Sequence, residues 1–171
     1  MPIVRLELSD LDATNRLGAM LAGALMAGDV IALSGGLGAG KSALARAIIR
    51  AVDPAEDDVP SPTFTLVQTY ALADGTPLWH LDLYRLDGPE EAMALGLDDA
   101  FVDAACLIEW PDRLKKFLPK TNLSIHLYAD DLGLSDDGQM GSSVRFADIT
   151  APPHWAERIT NLVAGITATP A

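Results

Sequence analysis

Gly35 is followed by four residues and then by Gly40, Lys41 and Ser42, within the stretch IALSGGLGAGKS from Ile31 to Ser42. That is the spacing of a phosphate-binding P-loop. A polyphosphate needs many donors at short range, more than side chains alone can crowd together. The run Gly35, Gly36, Leu37, Gly38, Ala39, Gly40 is poor in bulky side chains, so its main chain can turn tightly and aim successive N–H groups at phosphate oxygens. Lys41 is placed to reach the outer phosphates and the Ser42 hydroxyl to ligate Mg²⁺.

Such a loop counts only between a strand and a helix. The apolar run Val30–Leu33 predicts a buried strand before it. Ala43–Val52 predicts a helix after it, whose N-terminal partial charge adds to the attraction for anions. Ligands of an open α/β sheet sit at the carboxyl ends of the strands, which directs attention to acids there. Ala104–Ile108 is wholly apolar and ends on Glu109. That carboxylate is placed either to hold Mg²⁺ opposite Ser42, directly or through water, or to cap a helix starting near Pro111. Asp82 closes a second strand and suits a group that orients or deprotonates an attacking water, with a salt bridge to Arg85 as its structural alternative. The residues alone leave open which acid dominates the metal. Thr63, in Ser61–Thr65, lies where a loop can fold over the γ-phosphate as switch loops do, while Ser61 and Thr65 satisfy local backbone groups. Trp110 either covers the site, anchors a partner or fills core. His80 reads as a hydrogen-bonded sheet residue, and His126 and His154 as structural.

The 171 residues, 49% of them hydrophobic, exclude a disordered chain and predict one α/β domain over 1–171. No apolar run approaches a membrane span, and Met1–Leu8 lacks a secretion pattern, so no membrane association and a cytoplasmic location are expected. Cys106 is the single cysteine, which excludes a disulfide framework. A net charge of −12, from 24 acids against 12 bases, disfavours autonomous nucleic-acid binding. The bases cluster after Trp110 as Arg113, Lys115, Lys116 and Lys120, either a solvated face or a contact patch.

In chain order the pattern predicts a strand at Ile3–Leu8, a helix capped by Asp10 over about Leu11–Met26, the P-loop unit and a surface loop at Asp53–Pro60. A hairpin of Leu66–Leu72 and Pro77–Leu83 turns at Asp74-Gly75, antiparallel beside the parallel strands. A short helix at Pro89–Leu95 stops near Gly96, and a short basic helix follows Pro111. Strands at Leu123–Leu127 and Ser143–Ile149 follow, the latter as an edge, separated by a loop at Asp130–Ser143. A terminal helix at His154–Ile166 precedes a small-residue tail.

The motifs SGGLGAGKSALARAI, SPTFTLVQTY, WHLDLYRL, EAMALGLDDAF and CLIEWPDRL, in this order, strongly resemble the TsaE family, once called YjeE. The resemblance runs from about residue 11 to 127, and 128–171 carries no signature. It implies an α/β fold, a P-loop NTPase-like mixed sheet with central parallel strands flanked by antiparallel ones and helices on both faces. It further implies slow Mg²⁺-dependent hydrolysis of ATP to ADP, and action on TsaB and TsaD, the proteins that transfer threonylcarbamoyl to tRNA, to reset their complex between turnovers. tRNA would then be met through that complex. By position the family's phosphate lysine is Lys41, its magnesium hydroxyl Ser42, its SPT threonine Thr63, its HxDxYR aspartate Asp82 and its EWP pair Glu109 and Trp110. The family often has a second hydroxyl after the magnesium one. Ala43 stands there in this chain, with only its N–H left to meet the α-phosphate. Two rivals remain, a small-molecule kinase and a nucleotide-sensing binding module whose hydrolysis is incidental. Against the kinase, no lid-sized insertion is visible and Arg85 is the only arginine expected near the site beyond the P-loop helix.

Overall fold

The computed structural model describes residues 3–56, 58–130 and 144–167. Its strands are β1 (Ile3–Leu8), β2 (Val30–Ser34), β3 (Val67–Ala71), β4 (Pro77–Asp82), β5 (Ala105–Glu109), β6 (Leu123–Asp130) and β7 (Val144–Thr150). They form one seven-stranded sheet in the order β1-β7-β6-β2-β5-β4-β3. β2 runs parallel to β5 and β6, and β4 parallel to β5. β3 on one side, and β7 with β1 on the other, are added antiparallel. This is the P-loop-type mixed sheet that the sequence predicts.

Helices cover both faces. Leucines 17 and 21 of α1 (Leu11–Ala24), Leu44 and Ile48 of α2 (Lys41–Val52), and Trp155 and Ile159 of α5 (Pro153–Thr167) pack on Ile31, Leu33, Leu107 and Ile125. On the other face α3 (Pro89–Met93), α4 (Leu97–Asp103) and a 3-10 segment (Pro111–Phe117) pack Ala92, Leu97, Ala100 and Leu114 on Leu81, Cys106 and Ile108. Covered on both sides, β2 and β5 can be apolar up to their last residues, Ser34 and Glu109, as buried parallel strands are. α1 starts where Asp10 accepts the Ala13 N–H at 2.7 Å. Its Gly18 is required by packing, since a Cβ there would lie 2.5 Å from that of Ala47 on α2.

Three details differ from the sequence expectation. β7 is no edge: β1 pairs along its outer side, from Ile3↔Thr150 to Leu8↔Arg145, and so becomes the edge itself. The alternating pattern of β7 is the same in either position, because a half-open sheet face also alternates. Gly96, read as a helix stop, is instead a left-handed hinge (φ 88) from which α4 starts again. Finally, α1 ends at Ala24, before Met26. Of the expected loop Asp130–Ser143, Asp130 is the last residue of β6, and the remainder lies outside the described residues, as does the tail from 168.

Candidate active site

The P-loop leaves β2 at Ser34 and enters α2 at Lys41. Gly35 has φ 132, and a Cβ on it would lie 2.1 Å from the Leu127 carbonyl oxygen, so no other residue fits this turn. Gly40 has φ 109 and opens α2 without a side-chain cap. The first intrahelical bond is Leu44 N–H to Gly40 O, which leaves the N–H groups of Lys41, Ser42 and Ala43 without helical acceptors. They sit beside a cavity of about 460 Å³. Leu37, Gly38, Gly40, Lys41, Ser42 and Ala43 line it from the loop, whereas Gly35, Gly36 and Ala39, expected with them, do not, and Ala39 packs into the core instead.

The Lys41 ammonium donates to the carbonyls of Gly35 at 2.8 Å and Gly36 at 2.7 Å, and lies 4.0 Å from the centre of the Trp110 ring. Burial pulls its pKa down, while the charges of Glu109 and Asp82 pull it back up. Those two acids are direct Cα partners across β4 and β5. Being on the same sheet face, they would repel, and Lys41 is the cation that offsets them. Glu109 Oε2 accepts from Ser42 Oγ at 2.7 Å, and Oε1 pairs with His80 Nε2 at 2.9 Å. The 3-10 segment begins without a side-chain cap, so Glu109 turns inward and not to the helix.

Asp82 Oδ2 accepts from Thr63 Oγ1 at 3.1 Å, and Thr63 in turn exchanges a 2.7 Å bond with Ser61 Oγ. Oδ1 accepts the Tyr84 N–H at 3.0 Å. Arg85 does not pair with Asp82. Its guanidinium lies 4.3 Å from the ring centre of Phe64, a member of the Ser61–Thr65 loop. Trp110 takes a left-handed conformation (φ 59, ψ 51) as the chain leaves β5, which swings its indole over Lys41 and against Tyr84, 4.8 Å between ring centres. The predicted residues Lys41, Ser42, Ala43, Thr63, Asp82, Glu109 and Trp110 thus surround one cavity.

Among the described residues no three His, Cys, Asp or Glu side chains approach closely enough to hold a metal by themselves. Two carboxylates and a hydroxyl are hard oxygen donors short of an octahedral set. They fit Mg²⁺ that arrives with phosphate oxygens and water.

Two residues stand at the site beyond the sequence expectation: Arg145 carries no sequence signal, and His80, although it opens the HxDxYR motif, reads only as a sheet residue. Arg145, on β7, lines the cavity on the opposite side of β2 from β5, with its Cδ 3.6 Å from where a Gly40 Cβ would be. It lies beyond every motif, and only the β6–β7 pairing delivers it there. His80 joins the site through Glu109, diagonally from its own partner Leu107. The other two histidines bond away from the cavity: His126 Nδ1 lies 3.0 Å from Ser34 Oγ, and His154 Nε2 lies 3.8 Å from Asp29. Among the described residues no helix is long and apolar enough to cross a membrane.

A family model described as Threonylcarbamoyl adenosine biosynthesis protein TsaE matches residues 8–135. The tRNA threonylcarbamoyladenosine biosynthesis protein TsaE of Rickettsia conorii is 38% identical over 120 residues, 70% of this chain and 68% of that protein. Its namesake in a Nostoc species is 37% identical over 136 residues, covering 77% and 82%. That of Mycobacterium tuberculosis is 40% identical over 122 residues, covering 67% and 72%. The crystal structure of Bacillus subtilis YdiB superposes with a TM-score of 0.71 over 96% of each chain at 23% identity, a likeness of fold.

Proposed function

We propose a function from one premise: the chain belongs to the TsaE family of threonylcarbamoyl adenosine biosynthesis proteins. The protein is a Mg²⁺-dependent ATPase in threonylcarbamoyladenosine modification of tRNA, a single ATPase unit over 1–171 acting on a TsaB–TsaD complex to reset it between turnovers. The observation that carries this is the meeting of Lys41 and Ser42 with Asp82 and Glu109 around one cavity. ATP is held by the N–H groups of the loop residues that line the cavity, Leu37, Gly38 and Gly40 to Ala43, and Lys41 exchanges its two carbonyl partners for phosphate oxygens. Ser42 and Glu109 would hold Mg²⁺, which would supply charge neutralisation to the phosphates. Asp82 orients the attacking water and takes its proton as oxygen bonds to the γ-phosphorus and the bond to ADP breaks. Thr63, tied to Asp82, senses the γ-phosphate. Trp110 covers the phosphates. Arg145, across β2 from the acids, contacts the nucleoside end.

Lys115, Lys116 and Lys120 are exposed on and just after the 3-10 segment that Trp110 begins. On a chain of net charge −12 this basic patch is the contact offered to the partner complex. tRNA is reached through those proteins, in the cytoplasm. The test is ATP hydrolysis with and without TsaB and TsaD. A low rate raised about tenfold or more by the pair is expected, and no nucleotide binding in either condition would overturn the reading.

The bonded series Ser61–Thr63–Asp82 favours one alternative, a nucleotide-sensing module in which hydrolysis is incidental. An Asp82→Ala protein that binds ATP, docks and supports repeated modification would establish it. Arrest after about one cycle establishes turnover as part of the mechanism.

A further inference from the structure

His80 and Glu109 are each 1% exposed. A carboxylate offers only lone pairs, so the 2.9 Å contact to Oε1 requires the hydrogen on His80 Nε2. His80 Nδ1 is also buried and has no hydrogen-bond partner. An unpaired buried polar atom is costly, and two residues earlier on the same face of β4 the chain uses an apolar residue, Leu78. A leucine at 80 would avoid that penalty, so the imidazole is kept for what Nε2 does. What it does is occupy one oxygen of Glu109 while Ser42 Oγ meets the other at 2.7 Å.

We propose that His80 is a positioning residue for Glu109. By holding Oε1 it stops the carboxylate from rotating and leaves Oε2 as the oxygen presented beside Ser42. The inference rests on the Mg²⁺–nucleotide reading of the cavity and adds to it the group that orients the metal-binding acid. Partners of this kind around metal-binding groups are typically worth about 10- to 100-fold in affinity.

The test measures nucleotide binding by calorimetry while Mg²⁺ is titrated, in wild type, His80→Gln and His80→Asn. Glutamine can bring an N–H to the Nε2 position, whereas asparagine is polar but one bond too short. Expected is a rise of about 10-fold or more in the Mg²⁺ needed by the asparagine variant, with Mg²⁺-free ADP binding within about twofold of wild type. Glutamine should restore most of the loss. In a Glu109→Gln background the asparagine substitution should add nothing. Should the asparagine chain not fold, His80→Leu takes its place with the same expectation. An unchanged Mg²⁺ requirement, equal impairment by asparagine and glutamine, or a matching loss of Mg²⁺-free binding would each overturn the proposal. A wild-type protein that binds no nucleotide would overturn the cavity reading, and this inference with it.

Discussion

Asp29 precedes β2 and Glu109 ends β5, so two buried acids, 4% and 1% exposed, stand at opposite ends of neighbouring parallel strands. Their surroundings differ in kind. Asp29 is closed off by the chain itself: Arg158 of α5 donates through Nη1 to Oδ2 at 2.7 Å and through Nη2 to Oδ1 at 3.0 Å, and the Met26 N–H adds a third bond. The same Nη1 reaches the Ala24 carbonyl, and the guanidinium stacks on Trp155 at 3.9 Å. Charge, geometry and hydrogen bonds are all complete, and none of these groups lines the cavity at the P-loop. Glu109 receives one hydroxyl and one imidazole, shares Lys41 with Asp82, and opens on the cavity. A saturated acid secures the fold, here by fastening α5 to the turn between α1 and β2. An acid that is left short of partners and keeps one oxygen toward a cavity is available for chemistry.

That contrast can be broken in four places. The largest effect belongs to Lys41→Ala, which should cut ATP hydrolysis by about 10³-fold, in the range of removing one preorganised donor to developing charge. Steady-state rates with the partner pair check it. Next, Arg158→Leu should cost about 3 kcal/mol of stability, because it strands a buried carboxylate. Denaturant unfolding should show this while ATP affinity of the folded protein stays the same. A loss of affinity there would remove the distinction between the two acids. Arg145→Ala should weaken ATP and ADP equally, about tenfold, with kcat unchanged, since an interaction made equally in ground and transition states alters binding alone. The smallest effect is on pH. Burial lowers the Lys41 pKa from its ordinary 10.5, so the unfolded chain binds more protons in the window just below 10.5 and stability rises there with pH. Phosphate binding needs the charged form, so ATP affinity should fall a few-fold through that same window, while Lys41→Arg stays flat.

The glycine spacing and the apolar runs that end on acids made the parallel centre of the sheet legible, because each is a local pattern. The same patterns located Lys41, Ser42, Asp82 and Glu109 at strand ends and a helix start. What stayed hidden depends on long-range pairing. Arg158 meets Asp29 across 129 residues, and Arg145 reaches Gly40 only through the β6–β7 register. Neither belongs to a motif. His80 reads as an ordinary sheet residue until the diagonal step to Glu109 is known. Gly96 illustrates a local ambiguity, since a left-handed glycine ends one helix and begins another equally well.

The most direct measurement is the Mg²⁺ dependence of ATP binding in wild type and Glu109→Gln, which keeps the side chain's shape and removes its charge. Mg²⁺ should tighten ATP binding about tenfold or more in wild type and hardly at all in the variant. Equal tightening in both proteins would mean that Glu109 is no metal-binding acid and would contradict the account.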